Sequence, residues 1–448
     1  MTQLGLERKV GLFAVTNIVI ANMIGAGIFT TSGLLMQGLH DPLLMLTLWF
    51  LGGVVALCGA MSYAELGATM PEAGGEYAFL SRLYHPLLGF LSGWVSLIAG
   101  FSAPIAASAI GCSEYALRAF PSISDILPGP AEVSVVWAKR LLALLVIVLF
   151  TLIHLRGIEF VSRVQNGLTI LKVSLIGGLI VAGFAFGSGD WAHFTATSPL
   201  ASTSWSTIGL SLMWIMFAYS GWNAATYIGS EIRNPVRTLP RALLVGTAVV
   251  SAFYILLNLF YVYAIDPQSM TSVVSIAGLA VGRSFGQVPE YVVSTLIAFA
   301  LFSSLSAYVI LGPRVYYAMA KDRLFFRSLA VVNPTSRAPG RAILLQGAIS
   351  SVLVVTGSFD QILTYMGFSL GIFPLLCVAG VFRLRRRQES LLPLPGYPVI
   401  PFVYLLAGTI MLVLSYIERP LESSLAVGTV LAGIPVYFWF RNRRHIPR

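Results

Sequence analysis

The amino-acid sequence predicts an all-α membrane protein of twelve transmembrane helices, ten forming two inverted five-helix repeats and two standing apart. Three observations carry this. Of 448 residues, 57% are hydrophobic and only 10% charged, and the mean hydropathy is +0.83; a soluble domain carries about 25% charged residues. A window of about 20 residues finds twelve apolar stretches, near residues 11–37, 43–70, 79–112, 134–155, 163–187, 206–230, 241–265, 289–320, 341–357, 361–382, 398–417 and 423–440. Two of these stretches, five spans apart, are interrupted at corresponding places. Unwound backbone in hydrocarbon leaves amides and carbonyls unpaired at several kcal/mol each, so it persists only where it lines a cavity or grips a ligand. Paired interruptions in two halves of a chain point to a binding site between them.

Met1 to Lys9 is short, polar and followed directly by span 1, with none of the pattern of a cleavable leader. Span 1 runs apolar through Val15 to Ile24, meets Gly25-Ala26-Gly27 and resumes at Ile28-Phe29. Span 2 stops at Met70-Pro71-Glu72-Ala73-Gly74-Gly75, proline and paired glycine being strong breakers. Spans 3 and 4 follow, and span 5 carries Lys172. Span 6 runs from Leu210 to Phe217 and meets Ala218-Tyr219-Ser220-Gly221. Asn234-Pro235 and Leu239-Pro240 punctuate the connection to span 7. The stretch Thr271 to Gly286, weakly apolar with three glycines, reads as an external loop helix lying over a vestibule. Spans 8 to 10 complete the second half. The basic run Arg383 to Arg387 and the proline-rich Leu392 to Pro398 separate spans 11 and 12 from the rest. Short connections leave one membrane domain over 1–448: about 1–190 as the first repeat, about 200–382 as the second, and about 398–440 as the two added helices.

With the N-terminus inside, twenty-two Lys and Arg fall on the cytoplasmic side and five outside, Lys172 lying within a span. This bias places both termini in the cytoplasm. It also explains the net charge of +10 without nucleic acid: basic loops meet anionic inner-leaflet lipid. Cys58, Cys112 and Cys377 sit in or at the ends of spans, with no metal or redox spacing, and read as small core residues. His40, His85, His154, His193 and His445 are scattered and no phosphate loop occurs, so the chain is not read as an enzyme and no cofactor or metal is expected.

The segments Met23-Ile24-Gly25-Ala26-Gly27-Ile28-Phe29, Ser62-Tyr63-Ala64-Glu65-Leu66 with Pro71-Glu72-Ala73-Gly74-Gly75-Glu76-Tyr77, Phe217-Ala218-Tyr219-Ser220-Gly221-Trp222-Asn223, and Glu231-Ile232-Arg233-Asn234-Pro235 through Leu239-Pro240-Arg241 occur in this order. Together they resemble the amino acid–polyamine–organocation (APC) superfamily, and within it the L-type amino acid transporter (LAT) branch, over nearly the whole chain. The resemblance implies a LeuT-like fold with two discontinuous helices and transport of amino acids by alternating access.

The first break suits a zwitterion. A half-helix starting after Gly27 offers free amides and a positive dipole end to a carboxylate, and the one ending near Met23 and Ile24 offers carbonyls to an ammonium group. Gly25, Ala26 and Gly27 let a ligand approach the backbone. Relatives usually carry Ser at Ala26, so the amide is kept and one hydroxyl contact is lost. From the second break, the Phe217 carbonyl also suits the ammonium group. Ala218 belongs to the same segment, and Ser220 and Gly221 leave room for a substrate side chain. By resemblance the Phe217 ring is the outer gate, and Asn223, after Trp222, contacts substrate in some relatives. Lys172 lies roughly 13 Å along span 5, at 1.5 Å per residue, where a charge is a functional sign by default. By resemblance a Lys there replaces the sodium ion of coupled relatives, reaching carbonyls near Gly25 and a hydroxyl of span 8, either Ser303 or Ser304.

Glu65 and Glu114 are the acids clearly within spans, both near the ends, and no carboxylate is expected in or beside either break. This favours neutral substrates over arginine or polyamines. The expectation is therefore sodium-independent exchange of neutral L-amino acids across the cell membrane. Proton symport through Lys172 is the alternative, and a channel or an amino-acid sensor is a rival from another class. Relatives that pair with a single-span glycoprotein use a cysteine after span 3. The stretch Ser113 to Ser134 has none, so no disulfide-linked heavy subunit is expected, and lipid and substrate are the partners.

Overall fold

The computed structural model describes residues 8, 10–71, 74–126, 130–155, 158–195, 203–331, 339–393 and 395–444. Lys9, Glu72, Ala73, Arg156, Arg337, Leu394, His445 and Arg448, which entered the reading of loops and charge above, lie outside the described residues. The described chain is helical, with a single isolated parallel pairing between Val10 and Ile232.

In order, α1 spans Leu12–Met23, α2 Gly27–Leu39, α3 Pro42–Thr69, α4 Glu76–Leu83, α5 Pro86–Val95 and, after a π-helical turn Ser96–Ser102, α6 Ala103–Ala119. Next come α7 Ala131–Leu155, α8 Ile158–Phe186 and α9 Trp205–Ala218, followed by a 3-10 segment, Ala224–Glu231. Then follow α10 Pro235–Ala264, α11 Pro267–Met270, α12 Ile276–Phe285, α13 Gln287–Lys321, α14 Gly340–Thr356, α15 Phe359–Arg386, α16 Val399–Glu418 and α17 Pro420–Arg444. Among the described residues, ten helical stretches are long and apolar enough to cross a membrane, α1 with α2 counting as one. The shorter apolar helices α9 and α14 stand where spans 6 and 9 are predicted. At 28 residues, α3 is about 42 Å long, more than a hydrocarbon core of about 30 Å, which requires tilt.

Three local expectations are corrected. The segment 79–83 belongs to the separate helix α4, and the membrane helix begins at Pro86, where proline fits the first helical position and the His85 ring accepts from the Leu87 amide at 3.1 Å. Pro240 does not end the connection after span 6; α10 starts at Pro235 and continues through it. Span 6 resumes after its break as a 3-10 segment rather than an α-helix. The π-helical turn lies just before Pro104, which has no N–H for the Gly100 carbonyl; within the turn Ser102 Oγ donates to the Leu97 carbonyl at 2.6 Å.

Packing puts the broken helices at the centre. α3 lies along α10 and α6 along α13, the two most extensive pairings. α1 packs on α10, and α2 on α9. Large apolar side chains such as Leu145, Ile170, Val181, Val352, Phe402 and Val413 are exposed on the outer helix faces, as lipid-facing positions must be. The end of the bundle carrying the connections after α3, α13 and α15 holds the Arg-rich segments and is called the basic end below.

Candidate functional site

Ile24, Gly25 and Ala26 interrupt span 1 between α1 and α2, where Gly25 and Gly27 each weaken a continuous helix by about 0.5–1 kcal/mol relative to alanine. The N-cap of α2, Ala26, makes no side-chain cap. No backbone carbonyl takes the amide of Ala26 or Gly27 among the described hydrogen bonds, as the first turn of a helix leaves them.

The carbonyls on the other side of the break are held by side chains. Lys172, fully buried on α8, places its ammonium 2.5 Å from the Ile24 carbonyl, 3.2 Å from that of Ala21 and 3.3 Å from Ser304 Oγ. Between the two hydroxyls left open by the sequence, Ser304 is therefore at the ammonium; Ser303 is fully buried beside it on α13. The Tyr254 hydroxyl, from α10, lies 2.6 Å from the Met23 carbonyl and 3.1 Å from that of Ala218, bridging the two breaks.

The second break folds as a turn. The Ser220 amide donates to the Phe217 carbonyl at 2.9 Å, and the Ala224 amide to that of Gly221 at 2.9 Å. Gly221 has a φ of +98°, a region open to glycine and strained for other residues. A Cβ on it would sit 2.7 Å from the Asn22 carbonyl oxygen, and a Cβ on Gly27 2.5 Å from Ala218 Cα. These two glycines let the broken helices touch each other, a different use from the ligand approach expected of them. Gly25 differs: a Cβ there meets nothing closer than 3.8 Å, with Ser304 and Tyr308 next at 4.0 Å.

Beside the breaks lies a cavity of about 140 Å³, bordered by Asn22, Phe217, Ser220, Gly221, Asn223 and Tyr308. Met213, Met216 and Leu370 give it apolar walls. Of the residues singled out from sequence, Phe217, Ser220, Gly221 and Asn223 border this space. Met23, Ile24, Gly25, Ala26, Gly27 and Ala218 are buried at the junction of the breaks. Trp222 packs edge-on against Tyr63 and Tyr404, with ring centroids 4.8 and 6.0 Å apart.

One expectation is overturned. A carboxylate does stand beside a break: Glu76 Oε1 accepts from Asn223 Nδ2 at 2.8 Å and from the Tyr63 hydroxyl at 3.0 Å. Glu76 opens α4, outside any span, and reaches the cavity from the connection, so a search confined to apolar stretches passes over it. Burial pushes its carboxyl up to about 7, the hydrogen bonds from Tyr63 and Asn223 pulling the other way. Tyr254 was also missed, because nothing local distinguishes one tyrosine in an apolar run.

Residues 10–439 match the model of the amino acid permease family. The chain belongs to that family. The permease is similar over its whole length to the serine/threonine exchanger SteT of Bacillus subtilis, 29% identical across 98% of both chains. It is 27% identical to human large neutral amino acids transporter small subunit 2, over 99% of this chain and 82% of the relative. With mouse Asc-type amino acid transporter 1 the identity is 26%, over 97% and 82%. These relatives place the permease in the LAT-like branch of the APC superfamily, as a multi-span membrane transporter of the amino acid class and not an enzyme.

Proposed function

We propose that this permease exchanges neutral L-amino acids across the cell membrane, without sodium, by alternating access. The observation that carries the reading is the Lys172 ammonium fixed between the carbonyls of the first break and Ser304 on α13. By resemblance this is the post a cation occupies in sodium-coupled relatives, so the bridge is covalently part of the protein and needs no ion. In this reading the free amides of Ala26 and Gly27 receive the substrate carboxylate. The carbonyls around Met23, Ile24, Phe217 and Ala218 receive its ammonium group. Gly25, Ser220, Gly221 and Asn223 bound the space for its side chain, and Phe217 closes over it. Neutral substrates fit the apolar walls, and the lone carboxylate in the lining, Glu76, already accepts from two donors.

The architecture proposed with it is the twelve-span LeuT-like arrangement, with repeats over about 1–190 and 200–382 and two added helices at about 398–440. The pairing of span 2 (α3) with span 7 (α10), and of span 3 (α5, α6) with span 8 (α13), supports it, because two related halves bring equivalent spans together. Both termini then lie in the cytoplasm with the basic end, and the absence of cysteine after span 3 supports a transporter working without a disulfide-linked subunit.

The test is counterflow in proteoliposomes. Radiolabelled neutral amino acids should enter only vesicles preloaded with amino acid, at the same rate in sodium and in potassium. Uptake into empty vesicles driven by an inward proton gradient would favour the symport alternative, and a strict need for sodium would end the proposal. Continuous conductance would point to a channel, and binding without movement to a sensor.

A further inference from the structure

Glu76 is a buried carboxylate in an unusual setting. One oxygen takes both described hydrogen bonds, from Tyr63 on α3 and from Asn223 two residues past Gly221. Those bonds tie three pieces together: the helix before the connection, the connection itself, and the turn from which the 3-10 segment Ala224–Glu231 leaves the second break. No ion pair reaches Glu76 among the described residues. The titratable groups facing it are Tyr63 from α3, Tyr227 from the 3-10 segment, Cys377 from α15 and Tyr404 from α16, all of types that ordinarily ionise well above neutrality. The charges that α3 and α15 supply nearby, Glu65 and Arg385, bind each other through two bonds of 2.7 and 2.6 Å. Glu76 also borders the cavity, so its carboxyl faces the space beside the breaks.

From this geometry we infer that Glu76 is a proton-binding site that latches the second break at the basic end, its ionised form holding Asn223 and its protonated form loosening it. The inference rests on the reading of the cavity as the transport site. A charged acceptor makes hydrogen bonds roughly twice as strong as a neutral one, so protonation weakens both ties without removing them. The carboxyl's upward displacement to about 7 puts this change within the range a cell experiences. The chemistry is a simple protonation, with the proton drawn from cavity water. Movement of the 3-10 segment is then easier on the acid side.

The experiment uses the full-length protein in proteoliposomes, with the same pH inside and out so that no gradient drives transport. Exchange of a neutral amino acid is followed from pH 5.5 to 8.5. The wild type is expected to exchange on the order of fivefold faster below the step than above it, as loss of about 1 kcal/mol from a charge-assisted bond gives. Glu76→Gln should be fast and flat, and Glu76→Asp should keep a step. Tyr63→Phe, which removes one donor to the carboxylate, should move the midpoint upward by about one unit, and it serves if the Gln variant does not fold. An unchanged pH profile in Glu76→Gln, an unmoved midpoint in Tyr63→Phe, or a flat wild-type profile would overturn the inference. A wild type that exchanges at no pH would instead overturn the transport reading on which it rests.

Discussion

At the scale of single residues, the permease satisfies the backbone of its first break with side chains brought from far along the chain. Lys172 is the clearest case, because its removal would leave the Ile24 and Ala21 carbonyls without their ammonium donor in a dry interior. Each buried polar group so stranded costs about 1–3 kcal/mol. Lys172→Ala is therefore expected to lower the melting temperature and to cut exchange at least about tenfold, a 1.4 kcal/mol effect. Ser304→Ala removes two long contacts, with the Lys172 ammonium at 3.3 Å and the Ile24 carbonyl at 3.5 Å, and should cost about two- to threefold. Initial rates normalised to reconstituted protein would check both. Equal loss in the two variants would contradict this ranking.

Between elements, the junction of α1–α2 with α9 and its 3-10 segment depends on close backbone approach. Gly221→Ala faces both a positive φ and the Asn22 carbonyl, and Gly27→Ala faces the Ala218 backbone. Both should lose several degrees of melting temperature or fail to yield monodisperse protein in detergent. Gly25→Ala meets only ordinary contacts, so it should fold normally and transport poorly, its methyl group occupying room beside Ser304 and Tyr308. Size-exclusion profiles alongside counterflow separate the two outcomes. The same contrast shows what was legible beforehand. Glycine gaps in apolar runs are local signals, and so the breaks and the helical membrane class could be read from sequence. What fills the gaps is non-local: Tyr254 meets Met23 across 231 residues and Asn223 meets Glu76 across 147. No period or spacing reports such meetings, which is why nothing in the sequence singles out Tyr254 or the contacts of Glu76. Lys172 was legible because a cation in hydrocarbon is conspicuous wherever its partners lie.

For the molecule as a whole, Glu76 makes folding stability depend on pH. Its carboxyl is raised from an ordinary 4.5 to about 7, so the native state keeps a proton that the unfolded chain releases between those values. The contribution is fully present below pH 4.5 and is lost as pH rises through 7, by up to about 3 kcal/mol. Melting in detergent should consequently fall between pH 5 and 8 in the wild type and stay level over that range in Glu76→Gln; a parallel decline in both would refute the assignment. The hydroxyl of Tyr254 has a consequence of its own. It possesses one hydrogen and stands within reach of two oxygens, one from each discontinuous helix. Whichever oxygen it serves less keeps a lone pair to offer, and an arriving ammonium brings three hydrogens to the same place. Once a guest supplies one oxygen, the tyrosine commits to the other, so both halves of the protein register the arrival through a single shared atom.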